Sequence, residues 1–236
     1  MPKAYNPRDR FFQQAKKDGF RARSAYKLEE IQERFKLLKA GDRVLDLGAA
    51  PGGFSQIAAR AVGPKGFVLA LDLEPIPSLP PPIVTWVADA FTPELLERLR
   101  REGRAPYHSV LSDLAPKTSG VHSLDEARSV ALAERALTLA LEVLRPGGSF
   151  VVKVFMGGDF EAYHREVKRH FAKVKSVKPE ASQARHSKEV YIVCQEPRAP
   201  KVQPARQPDP EPAKARDSHE ETAPDQPANP EVPRPT

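Results

Sequence analysis

The stretch GSFVVKVF, residues 148–155, sets one cation, Lys153, among valines and phenylalanines. An ammonium inside an apolar strand needs a paired carboxylate or a lowered pKa, and an amine so lowered can act as a base. The competing reading is a strand that ends early, with Lys153 snorkelling to water. Carboxylates stand at the ends of other apolar runs: Asp46 in VLDLG, Asp72 in LALDL, Asp89 in VADAF and Asp113 in LSDLAP. Acids and a lysine at strand ends suit proton handling and the binding of a ligand with hydroxyls and positive charge.

The segment VLDLGAAPGGFSQ reads as a strand, a glycine-rich turn and a helix, the arrangement that lets backbone approach a nucleotide closely. Its spacing, Gly48 followed by Gly52 and Gly53, departs from the G-x-G-x-x-G of dinucleotide sites. It fits S-adenosylmethionine better than NAD, because that cofactor has no phosphate and its sulfonium favours nearby carboxylates. Asp72 ends the next strand, where an acid accepts ribose hydroxyls. Asp89 follows the third strand, within reach of an adenine amine. Each acid taken alone also reads as a cap or turn residue.

Asp113 ends the fourth strand, where a methyl donor faces its target. The residues Asp-Leu-Ala-Pro differ from the Asn/Asp-Pro-Pro-aromatic loop that orients amines. Attack on a base carbon needs a thiolate, and the one cysteine, Cys194, lies in an apolar run that reads as core. A hydroxyl acceptor remains, which needs a base and in-line orientation. Lys153 beside Asp113 serves as that base only with a second cation nearby, since the carboxylate alone favours its protonated form.

The elements that must hold these residues alternate along the chain. Strands are expected at residues 43–48, 66–73, 83–89, 107–114, 148–155 and 189–195, with a shorter one at 173–177. Helices are expected at 54–62, 93–102, 125–144 and 159–171, and LRPGG reads as a helix stop before the fifth strand. This order predicts an α/β fold: a mostly parallel, seven-stranded Rossmann-like sheet with helices on both faces and a final antiparallel strand.

Charge is uneven. Residues 1–43 carry twelve Lys/Arg against six Asp/Glu, and residues 164–188 carry eight against two, which suits a polyanion held across one face. Solvated helix surfaces look similar. Residues 197–236 hold eleven of the 25 prolines and almost no large apolar residue, so a disordered, dispensable tail is expected. A single cysteine and the absence of any long apolar run point to a soluble cytoplasmic protein without membrane spans. The expected division is a basic helical segment, 1–40, a catalytic domain, 41–196, and the tail, 197–236.

The motifs RARSAYKLEEI, VLDLGAAPGGFSQ, LDLEP, LSDLAPKTSG, PGGSFVVKVF and SKEVYIV, in this order, resemble the FtsJ/RrmJ ribosomal RNA 2′-O-ribose methyltransferases, from about Phe11 to Val193. The resemblance implies a tetrad of Lys27, Asp113, Lys153 and Glu189. In it Lys153 activates the hydroxyl, Lys27 is the second cation, and the two acids orient them. It implies S-adenosylmethionine contacts at Gly52, Phe54, Asp72, Asp89 and Asp113, where bacterial members often have Trp in place of Phe54. It further implies a uridine in the A-loop of 23S ribosomal RNA on the assembled large subunit, reached through RNA contacts in Arg8 to Lys39 and Arg165 to Lys188. No metal is implied, and a monomer is expected. A tRNA or messenger-cap 2′-O-methyltransferase and a non-catalytic, RNA-binding ribosome-assembly factor are the competing readings; an NAD-type oxidoreductase is disfavoured by the glycine spacing.

Overall fold

In this computed structural model the described residues are 10–102, 105–182 and 187–198. Apolar runs bounded by turn residues form seven strands: β1 Arg43–Leu47, β2 Phe67–Asp72, β3 Ile83–Val87, β4 Tyr107–Ser112, β5 Leu144–Phe155, β6 Phe171–Val177 and β7 Glu189–Pro197. They make one sheet in the order β3-β2-β1-β4-β5-β7-β6. Pairs among β1 to β5 are parallel, whereas β7 runs antiparallel between β5 and β6. The expected sheet is therefore observed, and the two late strands do pair.

Six helices cover it: α1 Arg10–Lys17, α2 Ser24–Phe35, α3 Gly53–Val62, α4 Pro93–Arg101, α5 His122–Val143 and α6 Phe160–His170. Two apolar clusters separate the faces. Leu95, Leu99, Ala133, Leu137, Tyr163 and Val167 from α4, α5 and α6 pack with Leu45, Phe150, Val152, Val154 and Ile192 on one side. Ala15, Leu28, Ile31, Phe54 and Ile57 from α1, α2 and α3 pack with Val44, Val151, Tyr191 and Val193 on the other. Because side chains alternate along a strand, the parity of Val151 sends Lys153 to the α1–α3 face, and Tyr191 and Glu189 of β7 share that face with it. The segment α1–α2 is thus packed onto the core, with Ala25, Leu28 and Ile31 fully buried.

Several boundaries differ from the sequence reading. Helix α5 starts at His122 rather than at residue 125, because the Asp125 carboxylate folds back to accept the amides of Ser119 and Gly120 and the Ser119 hydroxyl. Strand β5 starts at Leu144, not at Gly148: Leu144 pairs with Tyr107 and Ser149 with Ser109, so the residues between them bulge, with Gly147 at φ 73°. The LRPGG segment is therefore part of the strand element instead of a separator. Strand β3 ends at Val87, which leaves Asp89 in the following turn. No described helix is long and apolar enough to cross a membrane. The tail reading falls, from residue 199 onward, outside the described residues.

Candidate active site

The carboxyl ends of β1, β2 and β4 and the last turns of β5 meet the start of β7 at one sheet edge. Lys153 is there, with its side chain only 7% exposed, so the snorkelling reading does not hold. Its Nζ donates to the Asp113 backbone carbonyl at 2.6 Å and lies 3.0 Å from Asp113 Oδ1. Asp113 follows β4 and is anchored by its amide, which donates to the Leu47 carbonyl of β1. Across the sheet Lys153 is in register with Tyr191, whose hydroxyl donates to the same Asp113 Oδ1 at 2.6 Å.

Lys27 lies on the buried stripe of α2, among Ala25, Leu28 and Ile31, which aims it at the sheet. It pairs with Glu189 at 2.6 Å, and Glu189 also accepts from the Ser182 hydroxyl at 2.6 Å. Lys27 Nζ is 5.8 Å from the centroid of the Tyr191 ring. Residues 27, 113, 153 and 189 thus form two ion pairs joined through Tyr191. Burial acts to raise the Asp113 pKa, but the charges of Lys153 and Lys27, with hydrogen bonds from Tyr191 and Lys153, hold it below the usual carboxylate range. The Tyr191 phenol is pushed well above its ordinary value by burial and by the charges of Asp113 and Glu189, so it stays a donor.

Beside this cluster the chain turns from β1 into α3. Gly52 caps α3 at φ 116°, a left-handed conformation that favours glycine, and a Cβ there would stand 2.8 Å from the Leu79 side chain. Asp72 is half-buried; one of its carboxylate oxygens accepts the Ala50 amide and the other the Glu74 amide. Asp89 is exposed and accepts the Phe91 amide. Both carboxylates shape turns and keep lone pairs for a ligand. Asp46 is fully buried: one oxygen accepts the Ser55 hydroxyl at 2.6 Å, and Oδ1 has no protein partner. Burial and the charges of Asp113 and Asp72 outweigh the Ser55 bond and push its pKa up to about 7. Phe54 is also buried, its ring 5.9 Å from that of Tyr191, so it supports the site from the core side.

The two basic segments are less free than their composition suggests. The Arg21 guanidinium donates to the Pro77 carbonyl at 3.0 Å and the Ser78 carbonyl at 2.6 Å. It thereby pins the β2–β3 connection, whose Leu79 packs over Gly52. In the later segment Lys173 pairs with Glu196, Arg169 with Glu166, and Lys188 with Glu126. Tyr191, Ser55 and Ser182 escaped the sequence reading. A signal for the tyrosine was present: in SKEVYIV it stands two residues after Glu189 and so shares its face in a strand.

A buried lysine held by a carboxylate, next to a glycine turn ringed by acids, matches what the comparisons with known proteins return. Residues 20–197 match the FtsJ-like methyltransferase family. A ribosomal RNA large subunit methyltransferase E of Myxococcus xanthus is 49% identical over 203 residues, covering 86% of this chain and 95% of that one. The protein of the same name from Syntrophobacter fumaroxidans is 48% identical over 191 residues, covering 80% and 96%. Among solved structures, a Plasmodium falciparum protein described as a ribosomal RNA methyltransferase superposes with TM-score 0.68 at 23% identity, over 75% of this chain and 98% of that one. Human methyltransferase-like protein 13, solved with S-adenosylhomocysteine, gives TM-score 0.55 at 16% identity, over 77% and 86%. At those identities the two structures speak to the fold, which is that of Rossmann-like methyltransferases, while the sequence matches carry the assignment: this chain belongs to the FtsJ-like methyltransferase family.

Proposed function

We propose that the chain methylates the 2′-oxygen of a uridine in the A-loop of 23S ribosomal RNA, on the assembled large subunit, with S-adenosylmethionine as donor. The observation that carries this reading is the buried Lys153–Asp113 pair, coupled through Tyr191 to Lys27 and Glu189. The names of the relatives from Myxococcus and Syntrophobacter support the substrate class. The basic segment within residues 1–40 and the cluster within 165–188 supply phosphate contacts, which give affinity without sequence choice. Residues 41–196 carry the chemistry together with Lys27 of the preceding segment, and the chain that follows β7 acts as a spacer.

The residues at the glycine turn fit the donor. The charges of Asp113 and Asp72 reach the buried Asp46 carboxyl and add to burial in raising its pKa, a field that repels phosphate and suits a cationic ligand. When bound, S-adenosylmethionine would supply a methyl group on a sulfonium, open to in-line displacement by an oxygen, its carbon–sulfur bond breaking with the electron pair left on sulfur as the neutral thioether S-adenosylhomocysteine. Gly52 and Phe54 form the turn and its support, Asp72 orients ribose hydroxyls, and Asp89 meets the adenine. Lys153 handles the proton. In its neutral form two N–H groups are taken by the carbonyl and carboxylate of Asp113, which leaves the nitrogen lone pair for the acceptor hydroxyl. As the oxygen–carbon bond forms, the hydroxyl proton passes to Lys153, and Asp113 stabilises the ammonium. Lys27 and Glu189 fix the orientation of Tyr191 and Asp113.

The test compares the parent protein with Lys153→Ala, using methyl-labelled cofactor and intact large subunits, naked 23S RNA, tRNA or capped mRNA. Label in the large-subunit RNA with the parent, reduced by several orders of magnitude in the variant, is expected. Equal rates would overturn the lysine chemistry, and label confined to tRNA or mRNA would overturn the substrate.

A further inference from the structure

A cavity of about 330 Å³ opens at the same sheet edge, just past the ion-pair cluster. Phe155 and Glu189 at the strand ends, Thr118, Gly120 and His122 from the β4–α5 side, and Lys188 before β7 line it. Phe155 and Glu189 are register partners, as are Lys153 and Tyr191. Two residues along a strand advance about 6.7 Å on the same face, so Phe155, in the cavity lining, stands one such step along β5 from Lys153. That offset is on the scale separating a ribose 2′-oxygen from the base of the same nucleotide.

Its walls are tied in place. Asp125 holds the β4–α5 loop through the Ser119 and Gly120 amides. Glu126 pairs with Lys188 and packs against Gly157, where a Cβ would sit 2.1 Å from its carboxylate. The charges select the ligand. Asp125, Glu126 and Glu189 line the cavity with one lysine, Lys188; Glu126 pairs with Lys188 and Glu189 with Lys27, so the lysine of the lining already has its carboxylate partner. Such a lining disfavours a phosphodiester and accepts an uncharged planar group. Apolar side chains adjoin it in sequence and stand in solvent: Val121 is 56% exposed and Met156 47%.

We infer that this cavity receives the base of the nucleotide whose 2′-hydroxyl is methylated, unstacked from the RNA, with Phe155 as the apolar side chain of its lining. The inference rests on the function proposed above. Thr118 is exposed on the cavity wall, so Thr118→Trp fills the space without entering the core. The assay uses large-subunit RNA, ligated and reconstituted into particles, in which the target nucleoside is either uridine or abasic. The expected result is at least a 30-fold loss of kcat/KM for Thr118→Trp on the uridine particle, unchanged cofactor affinity, and recovery to within about threefold of the parent on the abasic particle. A variant as active as the parent on uridine overturns the cavity assignment alone. So does a loss that the abasic target fails to rescue, because the tryptophan would then act on the loop instead of on the base. A parent protein that leaves the 2′-position of the uridine particle unmethylated overturns the proposed function itself.

Discussion

Replacing Asp46 by Asn tests the electrostatics of the site without touching the reacting amine. Asp46 is fully buried and accepts one bond from Ser55. Its pKa stands at about 7, against about 3.8 for an ordinary aspartate. For an acid raised in this way, the native state keeps a proton that the unfolded chain releases. Stability therefore falls as pH rises from about 4 toward 7 and levels off above it. Between pH 5 and pH 8 the accumulated loss is on the order of 2 to 3 kcal/mol. Asn keeps an oxygen for the Ser55 hydroxyl and has no charge to lose. Urea unfolding of the parent and of Asp46→Asn at several pH values isolates this contribution, since titrating groups not coupled to Asp46 cancel in the difference. The parent's midpoint should fall by roughly 1 M relative to the variant from pH 5 to pH 8, for an m-value of about 2 kcal/mol per M. A difference that stays flat across that range would refute the reasoning, and with it the view that the acids at the glycine turn repel one another.

Tyr191→Phe removes the hydroxyl held 2.6 Å from Asp113. Unfolding free energy should drop by about 2 kcal/mol and methyl transfer by ~10-fold, with RNA affinity unchanged; a full-speed variant would remove Tyr191 from the cluster's function. Arg21→Ala frees the carbonyls of Pro77 and Ser78 and so the connection that covers Gly52. Calorimetric titration with S-adenosylhomocysteine should then read an affinity roughly fivefold weaker, whereas a loss confined to RNA binding would return Arg21 to the role that its composition suggests.

Local signals carried most of the fold. The strands at residues 43–47, 67–72 and 107–112 are apolar runs stopped by Gly, Asp or Pro, and the glycine turn identifies itself by its spacing. The Lys153–Asp113 pair was legible because both residues end neighbouring parallel strands. What escaped depends on register or on distant partners. Tyr191 looks like any core aromatic in EVYIVCQ until the pairing of β5 with β7 sets it opposite Lys153. The bulge before Ser149 and the early start of α5 depend on how many residues the β4 pairing and the Asp125 carboxylate absorb, and neither leaves a periodic trace. Arg21 reads as a free surface cation because its acceptors are backbone carbonyls some 56 residues away. The burial of Phe54 and Asp46 beneath the turn likewise follows from helix α3 lying flat on the sheet, which motif spacing does not describe.

The antiparallel course of β7 also has a consequence in time. Because that strand runs backwards, its first residue is the one that reaches the reacting edge, and the ion pair it makes spans 162 residues of chain. Parallel strands emerging from the ribosome can dock in turn as they are synthesised, yet none of those partial sheets contains Glu189 or Tyr191. Contacts of such sequence separation form late, after the loops between them have closed. A nascent or prematurely ended chain would therefore hold the glycine turn without the assembled lysine, and methyl transfer would report that the last strand has been made and inserted.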